Sequence, residues 1–172
     1  MICIKAGLTN EQFYNAIHSF KGAERRLQTL SKNGNCRVFY DFAHSPSKLK
    51  ATLNAVKEQF PDKKLVAVME LHTFSSLKKE FLPQYKGTME MADEAYVFFN
   101  PIAIKQKQLI PITKKEVENG FDKKDLKVFT DSKKLFQELL SKNWKGKNLL
   151  FMSSGTFGGT NLNEMAKKIT DF

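Results

Sequence analysis

Residues 36–46 read Cys36-Arg37-Val38-Phe39-Tyr40-Asp41-Phe42-Ala43-His44-Ser45-Pro46, a run that dictates a strand followed at once by a helix. The stretch up to Asp41 is apolar, β-branched and aromatic, the composition of a strand inside a sheet. Leu49, Leu53, Val56 and Phe60 then recur at helical spacing. Pro46 suits the first helical position, where its missing N–H loses no partner, and Ser45 is placed to cap the free amides. A carboxylate, Asp41, and an imidazole, His44, therefore stand where a strand ends and a helix begins. In open α/β sheets that edge is where ligands bind. Such turns also use Asp and His to satisfy their own backbone, and on the residues alone both readings stand.

Strand and helix signals alternate along the rest of the chain. Leu8 to Phe20 reads as a helix started by Thr9 or Asn10, with Phe13, Ala16, Ile17 and Phe20 on one face. Arg26–Ser31 and Cys36–Asp41 read as strands around the Asn33-Gly34 turn signal. After the helix at 46–59 come a strand at Lys64–Glu70, a loop at Leu71–Ser76, and a helix that Pro83 breaks or restarts near Gln84–Met91. Ala95–Phe99 is a strand closed by Asn100-Pro101. Residues 102–125 are the least regular part, with a short helix near Lys114–Asn119. Leu126–Phe129 is a strand, and Asp131 caps a helix carrying Leu135, Phe136, Leu139 and Leu140. Asn148–Met152 is a buried strand, and Asn161 with Glu164 opens the last helix. This order predicts an α/β, Rossmann-like three-layer domain, its sheet mostly parallel with an antiparallel edge from the hairpin at Arg26–Asp41.

A length of 172 residues accommodates one domain with a modest extension. No run approaches the ~18–20 apolar residues of a membrane span, and the N-terminus does not read as a signal peptide. Cys3 and Cys36 lack Cys-x-x-Cys spacing, which points to reduced packing thiols in a cytoplasmic protein rather than a disulfide or metal site. The net charge of +10 comes from scattered lysine pairs such as Lys63-Lys64 and Lys123-Lys124. They are not interleaved with aromatics as a nucleic-acid platform would be, so a solvated surface with a general attraction for anionic substrates is expected. Neither nucleic acid nor membrane is expected as a partner.

Tyr40–Pro46 resembles the motif that opens the C-terminal domain of the Mur ligases, Asp-(Tyr/Phe)-Ala-His-x-Pro. These are ATP-dependent amide-forming enzymes of peptidoglycan synthesis and recycling. Further segments agree in order and spacing. Phe20–Leu27, with Arg25-Arg26, is similar to the family's hinge leaving the central domain. Leu65–Glu70 resembles its next strand, Ala92–Val97 its "ADEV" junction, and Met152–Gly159 the Gly-Phe-Gly-Gly loop of the muramate-peptide branch. The resemblance implies that residues 1–25 are the end of the central ATPase domain and hinge, and that 26–172 form the C-terminal domain. The phosphate-binding loop, the Mg2+-binding residues and the UDP-binding domain of the family have no counterpart here: Gly146-Lys147-Asn148 lacks the upstream glycine and the hydroxyl. The partners implied are the missing N-terminal and central domains, UDP-MurNAc, and an amino acid or peptide. ATP and Mg2+ would serve the whole enzyme, and the chain alone is expected to be inactive.

Carried over residue by residue, the resemblance assigns Asp41 to the nucleotide ribose and Arg26 to ATP phosphate, with Arg25 a weaker candidate. His44 and Ser45 lie in the same nucleotide-facing turn. His18 matches no motif and is read as structural or solvated. The incoming amine would meet His72, Thr73, Ser76, Gly155, Phe157 and Gly158. In the L-alanine-adding branch the loop reads His-Arg-(Tyr/Phe)-Thr-Arg, its arginines holding the amino-acid carboxylate. Here it reads His72-Thr73-Phe74-Ser75-Ser76, which departs at both arginines. The loop matches neither branch cleanly. Ser153–Gly159 is closer to the recycling branch, which attaches L-Ala-γ-D-Glu-meso-diaminopimelate to UDP-MurNAc. That branch is the first expectation, L-alanine addition the second, and a stand-alone nucleotide-binding module the third.

Overall fold

The computed structural model describes residues 5–19 and 23–171. Its elements run α1 (Asn10–Ile17), β1 (Gln28–Lys32), β2 (Arg37–Asp41), α2 (Pro46–Gln59), β3 (Lys64–Leu71), a 3-10 helix (Lys79–Tyr85), β4 (Glu94–Phe99), α3 (Pro101–Gln106), α4 (Lys114–Phe121), β5 (Lys127–Phe129), α5 (Ser132–Leu140), β6 (Lys147–Met152) and α6 (Leu162–Thr170). β3, β4 and β6 are apolar and buried along nearly their whole length, as strands covered on both faces must be.

The strands form one six-stranded sheet in the order β1-β2-β6-β3-β4-β5. β1 runs antiparallel to β2 and every other pairing is parallel. Alternate residues of each strand serve opposite cores. Leu150 and Met152 face a cluster with Leu49, Leu53 and Val56 of α2, Tyr85 of the 3-10 helix and Phe121 of α4. Leu149 and Phe151 face a second cluster with Leu135 and Leu139 of α5 and Met165 and Ile169 of α6. The expected three-layer domain with an antiparallel edge is the fold observed.

The chain leaves β2 toward the α2 face and leaves β6 toward the α6 face, so neighbouring parallel strands part in opposite directions. That divergence opens a crevice at the carboxyl ends of the strands, where α/β sheets bind ligands. Register brings the walls level: Met152 of β6 pairs with both Asp41 of β2 and Met69 of β3.

Four local expectations are corrected. β1 starts at Gln28 rather than Arg26, because Arg25 (φ 56°) and Leu27 (φ 46°) take left-handed backbone that no strand accepts. The segment around Pro83 is a 3-10 helix at Lys79–Tyr85, and no helix continues past Tyr85 to Met91, where Gly87 turns the chain at φ 71°. Asn100-Pro101 opens α3, with Asn100 capping the Ile102 amide, in a stretch expected to be irregular. Ser45 occupies the cap position of α2 without bonding its amides; its hydroxyl lies 3.5 Å from that of Ser47.

Thr9 closes a capping box with Gln12 at the start of α1, whose described residues are all exposed. Phe20, expected on its apolar face, lies outside the described residues, as does Cys3. Leu140 is exposed rather than packed with Leu135, Phe136 and Leu139. Among the described residues no helix is long and apolar enough to cross a membrane.

Candidate functional site

The first wall of the crevice is the end of β2 and the segment before β1. The Phe42 amide donates to the Arg25 carbonyl at 2.9 Å, and the Leu27 amide donates to Asp41 Oδ2 at 2.6 Å. Among the described residues Asp41 Oδ1 has only a 3.4 Å contact from the Thr52 hydroxyl. Arg26 is exposed and pairs with no carboxylate among the described residues, its guanidinium lying 6.0 Å from the Phe42 ring centre. Phe42 in turn meets His44 edge-on at 5.0 Å. His44 Nδ1 lies 2.9 Å from the Phe42 carbonyl; a proton on Nδ1 makes that contact a hydrogen bond and turns Nε2 outward as an acceptor. The His44 carbonyl accepts from the Tyr85 hydroxyl at 2.9 Å, tying the turn to the 3-10 helix. Arg26, Asp41, His44 and Ser45 thus share one edge.

The second wall is the loop after β3. Thr73 Oγ1 donates to Ser76 Oγ at 2.9 Å, while the Ser76 amide donates back to Thr73 Oγ1 at 3.2 Å. Ser76 is buried. Thr73 and Ser76 therefore satisfy each other and present no cation. Phe74 is exposed, with Lys107 Nζ 4.3 Å from its ring centre. An open cleft of about 710 Å3 lies alongside, lined by Thr73, Phe74, Lys78, Phe81 and Gln84.

The third wall is the loop after β6, which closes on β3 through Glu70. This carboxylate is 2% exposed at the end of β3. Its Oε2 accepts from the Ser153 hydroxyl and, at 2.9 Å, from the Phe157 amide. Its Oε1 faces His72 Nδ1 at 3.9 Å. Gly155 lies flush against both: a Cβ there would come within 2.6 Å of the His72 ring and 2.8 Å of Glu70 Oε2. Phe157 takes φ 49° and packs its ring among Phe98, Phe136 and Phe151. Gly158 turns at φ 70° against Ser132. The Tyr40 hydroxyl donates to the Gly155 carbonyl at 3.3 Å, and burial raises its pKa. A cleft of about 240 Å3 separates this loop from Arg25 and Gln28.

Of the expected residues, His72 and Gly155 thus meet at the ends of β3 and β6; Phe157 joins them only through its amide, its side chain being fully buried, Gly158 lies against Ser132, and Thr73 and Ser76 close on one another. Glu70 is missed by sequence reasoning, which sees only the last residue of the strand Lys64–Glu70. Its signal was a lone charge ending the apolar run Leu65–Met69. His18 is exposed. Among the described residues no group of three or more His, Cys, Asp or Glu side chains converges to hold a metal ion.

A doubly wound sheet with three loops converging at its carboxyl edge defines a Rossmann-like α/β domain. The chain belongs to the Mur ligase C-terminal domain family: the family model described as Mur ligase, glutamate ligase domain matches residues 25–155. A UDP-N-acetylmuramate–L-alanine ligase of Lactobacillus helveticus is 42% identical over 79 residues, 46% of this chain and 18% of that enzyme. The UDP-N-acetylmuramate–alanine ligase of Thermotoga maritima superposes with a TM-score of 0.69 at 17% identity, over 99% of this chain and 34% of that one. A murein peptide ligase of Psychrobacter arcticus gives 0.67 at 19% identity, over 99% and 35%. The chain thus spans about a third of these structures, and the aligned segments about a fifth of the curated relatives.

Proposed function

We propose that this chain is the third domain, preceded by the last helix and hinge of the central domain, of an ATP-dependent ligase that joins a peptide to UDP-MurNAc. Residues 1–25 belong to the hinge side and 26–172 to the C-terminal domain. In this reading Arg26 meets ATP phosphate, a task suited to a planar, permanently charged donor. Asp41 accepts from the ribose hydroxyls, and His44 and Ser45 complete that edge. His72, Gly155, Phe157 and Gly158 line the approach of the amine that displaces phosphate from the acyl phosphate. Thr73 and Ser76 shape the same loop. The phosphate loop and metal ligands would come from the central domain, so this chain does not turn over alone.

The observation that carries the choice of amine is the Thr73–Ser76 pair. A free amino acid is held by its carboxylate, and losing a buried bidentate arginine contact costs ~2–5 kcal/mol. A longer acidic peptide has further carboxylates to place on other groups, including the amides around Gly155–Gly159. A second reading, L-alanine addition, is favoured by the Lactobacillus helveticus relative, a UDP-N-acetylmuramate–L-alanine ligase. A competition assay on the full-length ligase, with UDP-MurNAc and ATP, decides between them. Preference for L-Ala-γ-D-Glu-meso-diaminopimelate is expected; preference for free L-alanine would reject the first reading and promote the second.

A further inference from the structure

We infer that Glu70 is a positioning residue: it locks the glycine-rich loop after β6 to the end of β3, holding Gly155 against the His72 ring and thereby fixing the gap through which the amine arrives. The amine role rests on the function proposed above; the lock itself rests on geometry.

Glu70 is the penultimate residue of a central strand and is buried there. A buried carboxylate is retained only where donors satisfy it. Both donors come from the glycine-rich loop, the Ser153 hydroxyl and the Phe157 amide. Ser153 Oγ also accepts from the Gly155 amide at 2.6 Å, so its single proton is directed at Glu70. One oxygen thereby orders Ser153, Gly155 and Phe157. Phe157 needs this hold, because a non-glycine residue at φ 49° is strained and is kept there by its amide bond and its buried ring. The other oxygen faces His72, 3.9 Å from Nδ1. Gly155 fills the remaining space so closely that no side-chain carbon fits. A shift of the glycine-rich loop would therefore break its bonds to Glu70 and its packing on the His72 ring.

Glutamine separates the two duties. In Glu70→Gln the amide oxygen can still accept from Ser153 and Phe157, but an NH2 group can replace the oxygen facing His72. In Glu70→Ala both duties are lost. Amide hydrogen exchange on the 172-residue chain reads the lock. Glu70→Ala is expected to speed exchange at Phe157 and Gly155 by about 10–100-fold relative to Leu150 in β6, and Glu70→Gln by less than about threefold. Unchanged protection at Phe157 and Gly155 in Glu70→Ala would overturn the lock. If that variant does not fold, Ser153→Ala replaces it: with one of the two donors to Glu70 gone, the Phe157 amide must then lose protection, and its persistence would overturn the lock equally. In the full-length ligase, Glu70→Gln is expected to raise KM for the amine about tenfold with KM for ATP unchanged. An unchanged amine KM in an active Glu70→Gln enzyme overturns the amine role while leaving the ligase reading standing. A wild-type protein that ligates no amine rejects the ligase reading and the amine role with it, and leaves the lock to the exchange measurement.

Discussion

Asp41 Oδ2 accepts a 2.6 Å hydrogen bond from the amide of Leu27, so the carboxylate ending β2 also clasps the segment that leads into β1. Leu27 and Arg25 both hold left-handed backbone without being glycine, each at a cost of about 1–2 kcal/mol. The clasp, the Phe42–Arg25 backbone bond and the Gln28 side chain on the Arg25 amide hold that geometry. Asp41 therefore satisfies a neighbouring backbone, and the proposed nucleotide contact would be its second duty.

The two duties of Asp41 separate by experiment. Asp41→Ala should lower the stability of this chain by about 1–3 kcal/mol, read by urea unfolding, because it leaves the Leu27 amide without its acceptor. In the full-length ligase, Asp41→Ala and Arg26→Ala should each raise KM for ATP or lower kcat by about one to three orders of magnitude. Arg26→Lys should recover only part, since a point charge does not replace a planar fork. Destabilisation by Asp41→Ala together with unaltered ATP kinetics would leave Asp41 as a clasp alone.

Gly155→Ala tests how tightly the loops meet. A Cβ placed 2.6 Å from the His72 ring and 2.8 Å from Glu70 forces one of them to move. The expected cost is about 1–3 kcal/mol in thermal or urea unfolding. Gly34→Ala is the control: nothing lies within 4 Å of its Cβ position, and its effect should stay within about 0.5 kcal/mol. Equal, small effects at both positions would mean that the loop relaxes freely around Gly155.

The alternation of strands and helices was legible because β3, β4 and β6 are apolar runs with no competing helical period, and the cap and proline signals at Thr9, Pro46, Asp131 and Asn161 act locally. Boundaries failed where a residue's conformation depends on distant partners. Arg25 and Leu27 are left-handed because Asp41 and Phe42 hold them, and no local rule places a leucine there. The helix expected beyond Pro83 was lost to a turn that Gly87 makes and that the Tyr85 carbonyl anchors through the Thr88 hydroxyl. Among site residues, Asp41 and His44 announced themselves at a strand-to-helix junction. Glu70 did not, since its meaning comes from Ser153 and Phe157, more than eighty positions away in sequence. The mutual bond of Thr73 and Ser76 was equally invisible: both read as absent arginines, and only the loop's path shows that they close on each other.

Cys36 should be chemically silent while the chain is folded. Burial pushes its thiol up to about 11, with the positive charge of Lys63 opposing the rise. At pH 8 only about one thiol in a thousand is then ionised, and the thiolate is the reactive species. Mass spectrometry after iodoacetamide at pH 8 should find the Cys36 peptide unmodified in native protein and fully modified in urea. The sign of the linked pH dependence follows. The unfolded thiol ionises near pH 9 and the folded one near pH 11, so the folded state binds the extra proton between them. The stabilisation is complete below pH 9 and is lost as pH rises toward 11. Cys36→Ala should flatten that alkaline fall; an unchanged slope would show that other groups carry it.

Helix α1 gives the last test, because it decides where the proposed domain boundary falls. Its described residues are all exposed, and Leu8, Phe13, Tyr14 and Ile17 leave apolar surface uncovered. The capping box of Thr9 and Gln12 fixes its first turn, yet a helix of eight residues with nothing buried is marginal in water. In the 172-residue chain the α1 amides should therefore exchange close to unfolded rates while β3 and β6 stay protected. In a full-length ligase whose central domain covers Phe13 and Ile17, the same amides should slow by about 100-fold or more, the scale expected when local opening is replaced by a packed core. Phe13→Ser should then destabilise the full-length protein and leave unfolding of the 172-residue chain unchanged. Core-level protection of α1 in the chain alone would move the boundary away from residue 25 and make α1 part of this domain.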